Sequence, residues 1–272
     1  MDLSRDLQFA VELARGAGQI VLDHFGKVDR LTKRHAEAVT EADRAAQRHI
    51  VAALRNQFPG DGIVGEENDT GDAITFDCPN PMGRNWVIDP IDGTNNFVSG
   101  LGNFAVAIGL LYEGWPVLGV VYDVTRDRMY SAAKGHGAWL GDQPIKVLST
   151  PPSDSSLIMM TSNPLDEQGR LPAYPIRWLT QTNWKMRMLG TAAIEAANVA
   201  AGVAHGAVTI NGKLWDAVGP VAIVLEAGGV VTTLDGKPIF PFDLRNYSGA
   251  RVPFLAAGPA AHPVFLNDTK KG

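Results

Sequence analysis

The chain is 272 residues long, 45% hydrophobic and 19% charged, an ordinary globular composition that excludes a disordered chain and leaves room for a sizeable core. Its formal charge of −5, with no basic block, removes the non-specific attraction on which nucleic-acid or anionic-membrane partners usually rely, so neither is expected. A single cysteine, Cys78, excludes an internal disulfide and a cysteine-based zinc site and fits a reducing, cytoplasmic setting.

Asp2, Arg5 and Asp6 precede any apolar run, so the start does not read as a secretory leader. Leu3, Leu7, Ala10, Val11, Ala14 and Ile20 recur at helical spacing and predict a first helix, with Gly26 as its stop. Residues 27–40 are polar and read as an excursion. A second helix is predicted over 41–58, with Ala46, Ile50 and Leu54 on one face, closed by Pro59-Gly60-Asp61-Gly62. Residues 86–89 read as a short buried strand ending at Asp89. Residues 104–112, 117–124 and 129–132 predict an antiparallel meander, with turns at Glu113-Gly114 and Thr125-Arg126-Asp127. The apolar stretch at 104–112 is too short to cross a bilayer.

Residues 149–155 (STPPSDS) read as a break. Beyond it the pattern alternates: strands at 157–161, 207–210, 230–233 and 254–257, helices at 191–201 and 216–227. The expected organisation is one compact unit of two halves. Residues 1–148 form an α+β half and residues 149–272 an α/β half carrying Asp216.

The chemistry concentrates in carboxylates. In Asp89-Pro90-Ile91-Asp92-Gly93-Thr94, two acids share a stiff loop at a strand end, a donor set suited to a hard cation. The amides of Gly93 and Thr94, at a predicted helix start, suit a phosphate oxygen. Taken singly, the other acidic motifs have ordinary readings. Gly65-Glu66-Glu67 could be a solvated strand end, and Asp216 in Leu214-Trp215-Asp216 could be an N-cap. Thr40-Glu41-Ala42-Asp43 could likewise be a plain helix start.

Together these motifs resemble the inositol monophosphatase-like family of magnesium-dependent, lithium-sensitive phosphatases. The resemblance rests on Gly65-Glu66-Glu67, on Asp89 to Thr94, and on Trp215-Asp216 followed by Glu226-Ala227-Gly228-Gly229, in that order. Thr40 to Asp43 and Gly190-Thr191-Ala192-Ala193 fit weaker motifs of the family. It implies a layered αβαβα sandwich of the inositol monophosphatase/fructose-1,6-bisphosphatase type. It also implies two to three Mg2+ ions: one on Glu66, Asp89 and the carbonyl of Ile91, one on Asp89, Asp92 and Asp216, and a weaker one on Glu66. Gly93 and Thr94 would cradle the phosphate, and Asp43 and Thr94 would orient the attacking water. Asp92, Gly190, Thr191, Ala192, Thr209 and Asp216 would complete the substrate site. Relatives are commonly homodimers, and that assembly is the expectation here.

Elementary electrostatics agrees. Carboxylates packed together repel one another and a phosphate dianion, and divalent cations reconcile both. Bound cations lower the pKa of a water, polarise phosphoryl oxygens and neutralise the leaving alkoxide. The six histidines form no ligand-spaced pair and read as structural or exposed.

The expected substrate is a small polyol or sugar phosphate. Inositol-cleaving relatives usually carry an acid where this chain has Thr209, seven positions before Asp216. Asn211 or Lys213 could compensate, and Lys213 or Arg187 could meet a second anionic group. Histidinol-phosphate phosphatase, fructose-1,6-bisphosphatase and 3′(2′),5′-bisphosphate nucleotidase are therefore alternatives within the family. A non-catalytic metal- or phosphate-binding regulator is the alternative outside catalysis.

Overall fold

The computed structural model describes residues 2–27, 41–67, 75–166 and 168–271. The polar excursion with Lys33, Arg34, His35 and Thr40 lies outside the described residues.

Helices α1 (Leu3–His24) and α2 (Glu41–Gln57) open the chain. Strands β1 (Gly62–Gly65), β2 (Thr75–Asp77), β3 (Asn85–Asp92), β4 (Ala105–Tyr112), β5 (Trp115–Asp123), β6 (Arg128–Ala133), β7 (Ala138–Leu140) and β8 (Gln143–Ile145) form one sheet in the order 2-1-3-4-5-6-7-8. The short helix α3 (Thr94–Ser99) interrupts it. A second sheet runs 10-9-11-13-12, from β9 (Leu157–Met160), β10 (Lys185–Arg187), β11 (Gly206–Thr209), β12 (Val230–Thr232) and β13 (Phe254–Ala257). Helices α4 (Ala173–Gln181), α5 (Ala192–Ala200), α6 (Leu214–Glu226) and α7 (His262–Thr269) complete the fold.

Strand alternation sorts these elements into five layers. Ile88, Ile108 and Val120 point to one side of the first sheet and pack on Ala14, Val21, Ile50 and Leu54 of α1 and α2. Val87, Ala107 and Val121 point to the other and pack on α5 and α6 through Ala196, Val218 and Val221. Phe254 and Ala256 of the second sheet close that middle layer. Its outer face, Ile158, Val208 and Leu255, meets Tyr174 and Trp178 of α4 and Phe265 of α7. The indole of Trp178 donates to Asp268 Oδ2 at 2.9 Å and ties α4 to α7. The expected αβαβα sandwich is the observed one.

Helix α6 crosses the first sheet at very close range, because glycines replace side chains at the crossing. A Cβ on Gly119 would overlap the carbonyl oxygen of Gly219, and one on Gly109 would strike the backbone of α6. The approach delivers the first turn of α6, and with it Asp216, to the ends of β1 and β3.

Two boundaries differ from the sequence expectation in ways that matter. Strand β3 does not end at Asp89: its pairing with β4 runs on to Asp92, with one extra residue inserted between Asp89↔Ala107 and Asp92↔Ala105. Pro90, which has no N–H to give to a ladder, lies in that bulge. Helix α6 begins at Leu214, so Asp216 stands in its first turn and is not the N-cap. Its carboxylate accepts from the backbone N–H of Lys213 at 2.6 Å.

Candidate active site

Three residues apart on a regular strand, Asp89 and Asp92 would face opposite sides of the sheet. The extra residue in β3 changes that parity. Both aspartates now oppose Ala105 and Ala107, whose side chains enter the layer occupied by α5 and α6. Asp89 is 1% exposed and Asp92 6%. Carboxylate oxygens of Asp89, Asp92 and Asp216 all lie within 4.8 Å of one another. Glu66 follows β1, which pairs in parallel with β3, and its N–H donates to Ile88 O at 3.3 Å, so its side chain stands beside Asp89.

None of these four acids forms an ion pair with a lysine, arginine or histidine among the described residues. The electrostatic result is a set of acids whose ionised forms are all disfavoured. Burial pushes Glu66 well above the ordinary carboxylate range, and Asp216, Glu67 and Asp43 add to it. Burial does the same to Asp89, reinforced by Glu66, Asp216 and Asp92. Asp216 is raised to about 7 by burial and by Asp92, despite the opposing Lys213 N–H. Burial raises Asp92 to about 6, against the opposing hydrogen bonds from Thr191 and the amides of Ala193 and Ala192. A donor set of carboxylate oxygens that repel one another fits a hard divalent cation, which would supply the missing positive charge.

Around this centre the other expected residues converge. Thr94 Oγ1 donates to Ile91 O at 2.9 Å and lies 3.4 Å from Asp43 Oδ1, on the fully buried side of α2. Ile91 N donates to Asp89 Oδ1 at 2.9 Å and stiffens the loop. Gly93 has φ +95°, and a side chain there would meet Asn103 O and Gly190 O, so only glycine fits between the two loops. Thr191 caps α5, accepts from Ile194 N at 3.3 Å and donates to Asp92 Oδ2. Ala193 N donates to the same oxygen at 2.7 Å.

Thr209 lies apart. It ends β11, is 1% exposed, and its hydroxyl has no hydrogen-bond partner. Its methyl packs behind Gly212, whose other neighbour is Asp216. Asn211 Oδ1 accepts from Thr161 Oγ1 at 2.6 Å, and Lys213 Nζ donates to Gly249 O at 2.5 Å. Arg187 is exposed on β10. No histidine joins the acidic group among the described residues.

A sequence profile of the inositol monophosphatase family matches residues 2–268. The chain belongs to the inositol monophosphatase family. A fructose-1,6-bisphosphatase/inositol-1-monophosphatase of Thermotoga maritima is 36% identical over 245 residues, 89% of either chain. A histidinol-phosphatase of Chlorobaculum parvum is 35% identical, over 86% of this chain and 88% of that one. Among solved structures, a Thermotoga maritima IMPase superimposes with a TM-score of 0.81 at 31% identity, covering 98% of this chain and 97% of the other. Enzymes of this family hydrolyse phosphate monoesters, and this chain is a phosphatase of that kind.

Three residues of the phosphatase site are not evident from its motifs. Gln47 accepts from Glu67 N at 3.1 Å, and its amide donates to Glu67 O, clamping the segment after Glu66. Its signal was its place four residues after Asp43, on the same helix face. Asn96, from a distant segment, and Glu195, from the helix that follows, secure the Leu189-Gly190 loop. Conversely, Glu226 of the Glu-Ala-Gly-Gly motif serves the fold: it accepts from Gly135 N and Gly137 N at 3.0 and 3.1 Å.

Proposed function

We propose that this phosphatase hydrolyses the monoester of a small polyol or sugar phosphate with two to three Mg2+ ions. The observation that carries the reading is the convergence of buried Asp89 and Asp92 with partly buried Glu66 and Asp216, with no ion pair to a cationic side chain among the described residues. Glu66, Asp89 and the Ile91 carbonyl would hold one ion, Asp89, Asp92 and Asp216 a second, and Glu66 a weaker third. Bound there, Mg2+ supplies Lewis acidity toward the phosphoryl oxygens, a more acidic water and charge neutralisation of the leaving alkoxide.

The chain's own groups do the positioning. The Gly93 and Thr94 amides receive the phosphate. Thr94 Oγ1, with Ile91 O and Asp43 on either side, orients the attacking water, and Asp43 takes up its proton. Gly190, Thr191 and Ala192 form the neighbouring wall. The leaving group faces the turn of Asn211 and Lys213, with Thr209 beneath it.

Lys213 supports a second reading. Its ammonium is held by a backbone carbonyl and has no acidic side chain in an ion pair among the described residues, so it could meet a second anionic group on the substrate. Li+ inhibition, a homodimer and a cytoplasmic location accompany the main reading. The single thiol, Cys78, supports the reducing compartment. The test is phosphate release at saturating Mg2+ from inositol 1-phosphate, glycerol 2-phosphate, histidinol phosphate, fructose 1,6-bisphosphate and adenosine 3′,5′-bisphosphate. Preference for inositol 1-phosphate supports the main reading, and preference for a bisphosphate supports the second. Release from none of them overturns both.

A further inference from the structure

Glu195 is a buried acid for which the chemistry above has no use. It lies one turn into α5, is 0% exposed, and faces back toward the residues that precede its own helix. Its Oε1 accepts from Leu189 N at 2.7 Å and from Gly190 N at 3.3 Å. Its Oε2 is buried with no hydrogen-bond partner. The same loop is gripped from the opposite side by Asn96, whose Nδ2 donates to Leu189 O at 2.7 Å and lies 3.4 Å from Gly190 O. One residue further on, Thr191 donates its hydroxyl to Asp92 Oδ2. Thr191 and Ala193 both bind Oδ2, which leaves Oδ1 of Asp92 for a cation.

We infer that Glu195 is a positioning residue for the cation site, holding the Leu189–Gly190 backbone so that Thr191 fixes the Asp92 carboxylate. The inference rests on the proposed role of Asp92 as a metal ligand. Two backbone N–H groups converge on one oxygen of a fully buried side chain, which fixes their direction. Without it the loop loses its register against Asn96, and the Thr191 hydroxyl loses its line to Asp92. Groups that orient a ligand typically change metal affinity by 10–100-fold when removed. Burial holds the Glu195 carboxyl well above the usual carboxylate range, with a smaller contribution from Asp92. A neutral carboxyl offers Oε1 as a carbonyl acceptor, a role that an amide reproduces.

Calorimetric titration of Mg2+ into folded wild type, E195Q, E195M and N96A tests this. E195M should weaken Mg2+ binding by roughly 10–100-fold. E195Q, which keeps the acceptor, should stay within about threefold of wild type. N96A should lose affinity in the same direction as E195M. A purely structural role would lower the melting temperature and leave the affinity of the folded fraction unchanged. Wild-type affinity in E195M, or an E195Q as weak as E195M, overturns the inference. If E195M does not fold, N96A decides, and wild-type affinity there overturns it. A wild-type chain that binds no Mg2+ overturns the metal reading first, and this inference with it.

Discussion

The two sides of the site are built on opposite principles. On the side proposed to receive the phosphate, four acids crowd together, Asp89 and Asp92 buried and Glu66 and Asp216 partly so, each pushed above its ordinary pKa range. On the side proposed to receive the leaving group, at the end of β11, Thr209 is neutral and buried, and its hydroxyl has no hydrogen-bond partner. The first side stores a conflict that, at neutral pH and above, bound cations would relieve, and so it constrains the chemistry tightly. The second carries no such conflict and constrains the substrate loosely. Reaction type and substrate choice are thus separable in this molecule, and substitutions on the two sides should behave differently.

The largest effect is expected at Asp89, proposed to touch two ions. Asp89→Asn should lower phosphate release by roughly a thousandfold or more, since it removes charge from both sites at once. The variant should stay folded and, without metal at pH 8, should melt above the metal-free wild type because one repelling charge is gone. Near-normal turnover at saturating Mg2+ would end the assignment.

Thr94→Ala should come next. The helix cap is Gly93, so the Thr94 hydroxyl has its partners in Ile91 O and Asp43. Steady-state kinetics should show turnover falling by ~10²–10⁴-fold with little change in KM, the pattern of a group that acts in the transition state. A higher KM with unchanged turnover would make Thr94 a binding group only.

The conflict among the acids should also be visible in stability without any substrate. In the metal-free protein Asp92 titrates near 6 and Asp216 near 7, both above the 3.8 expected for the unfolded chain. Folding therefore favours their protonated forms. That contribution is complete below about pH 4 and is lost as the pH rises through 6 and 7. Melting in chelator should fall by several degrees between pH 5 and pH 8, at about 2–4 °C per kcal/mol for a chain of this size, and Mg2+ should remove most of the difference. A flat or rising profile in chelator would mean that the acids are not in conflict.

The smallest effect belongs to the other side. Thr209→Val keeps the shape and deletes a hydroxyl that has no partner. Stability should be unchanged or higher by up to ~1 kcal/mol, and catalytic efficiency on inositol 1-phosphate should not move. A clear loss of efficiency in the folded variant would give the hydroxyl a substrate contact.

What could be read in the sequence follows the same division. That Asp89, Asp92 and Asp216 come together was legible because their motifs match those of the family in residue type and order. The long strands β4 and β5 were legible from their unbroken apolar runs. The extension of β3 to Asp92 was not, because a bulge at Pro90 disguises a continuing strand as a turn. The three-residue strands β2, β8 and β10 carry too few residues to show alternation. Helix α4 hides behind Pro175, and α7 behind Pro263 in its first turn. Gln47 and Asn96 escaped because each works through the backbone of a distant segment, and Glu195 because it binds the irregular loop just before its own helix. A polar side chain with a remote backbone partner leaves no periodic mark.

The most direct measurement of the central claim is phosphate release from inositol 1-phosphate by exhaustively chelated enzyme, followed by back-titration with Mg2+. If the four acids form a cation centre that drives hydrolysis, chelation abolishes release. Mg2+ then restores it along a saturable curve, and Asp89→Asn stays inactive across the whole titration. Release that persists after chelation, at a rate Mg2+ does not change, would contradict the cation centre.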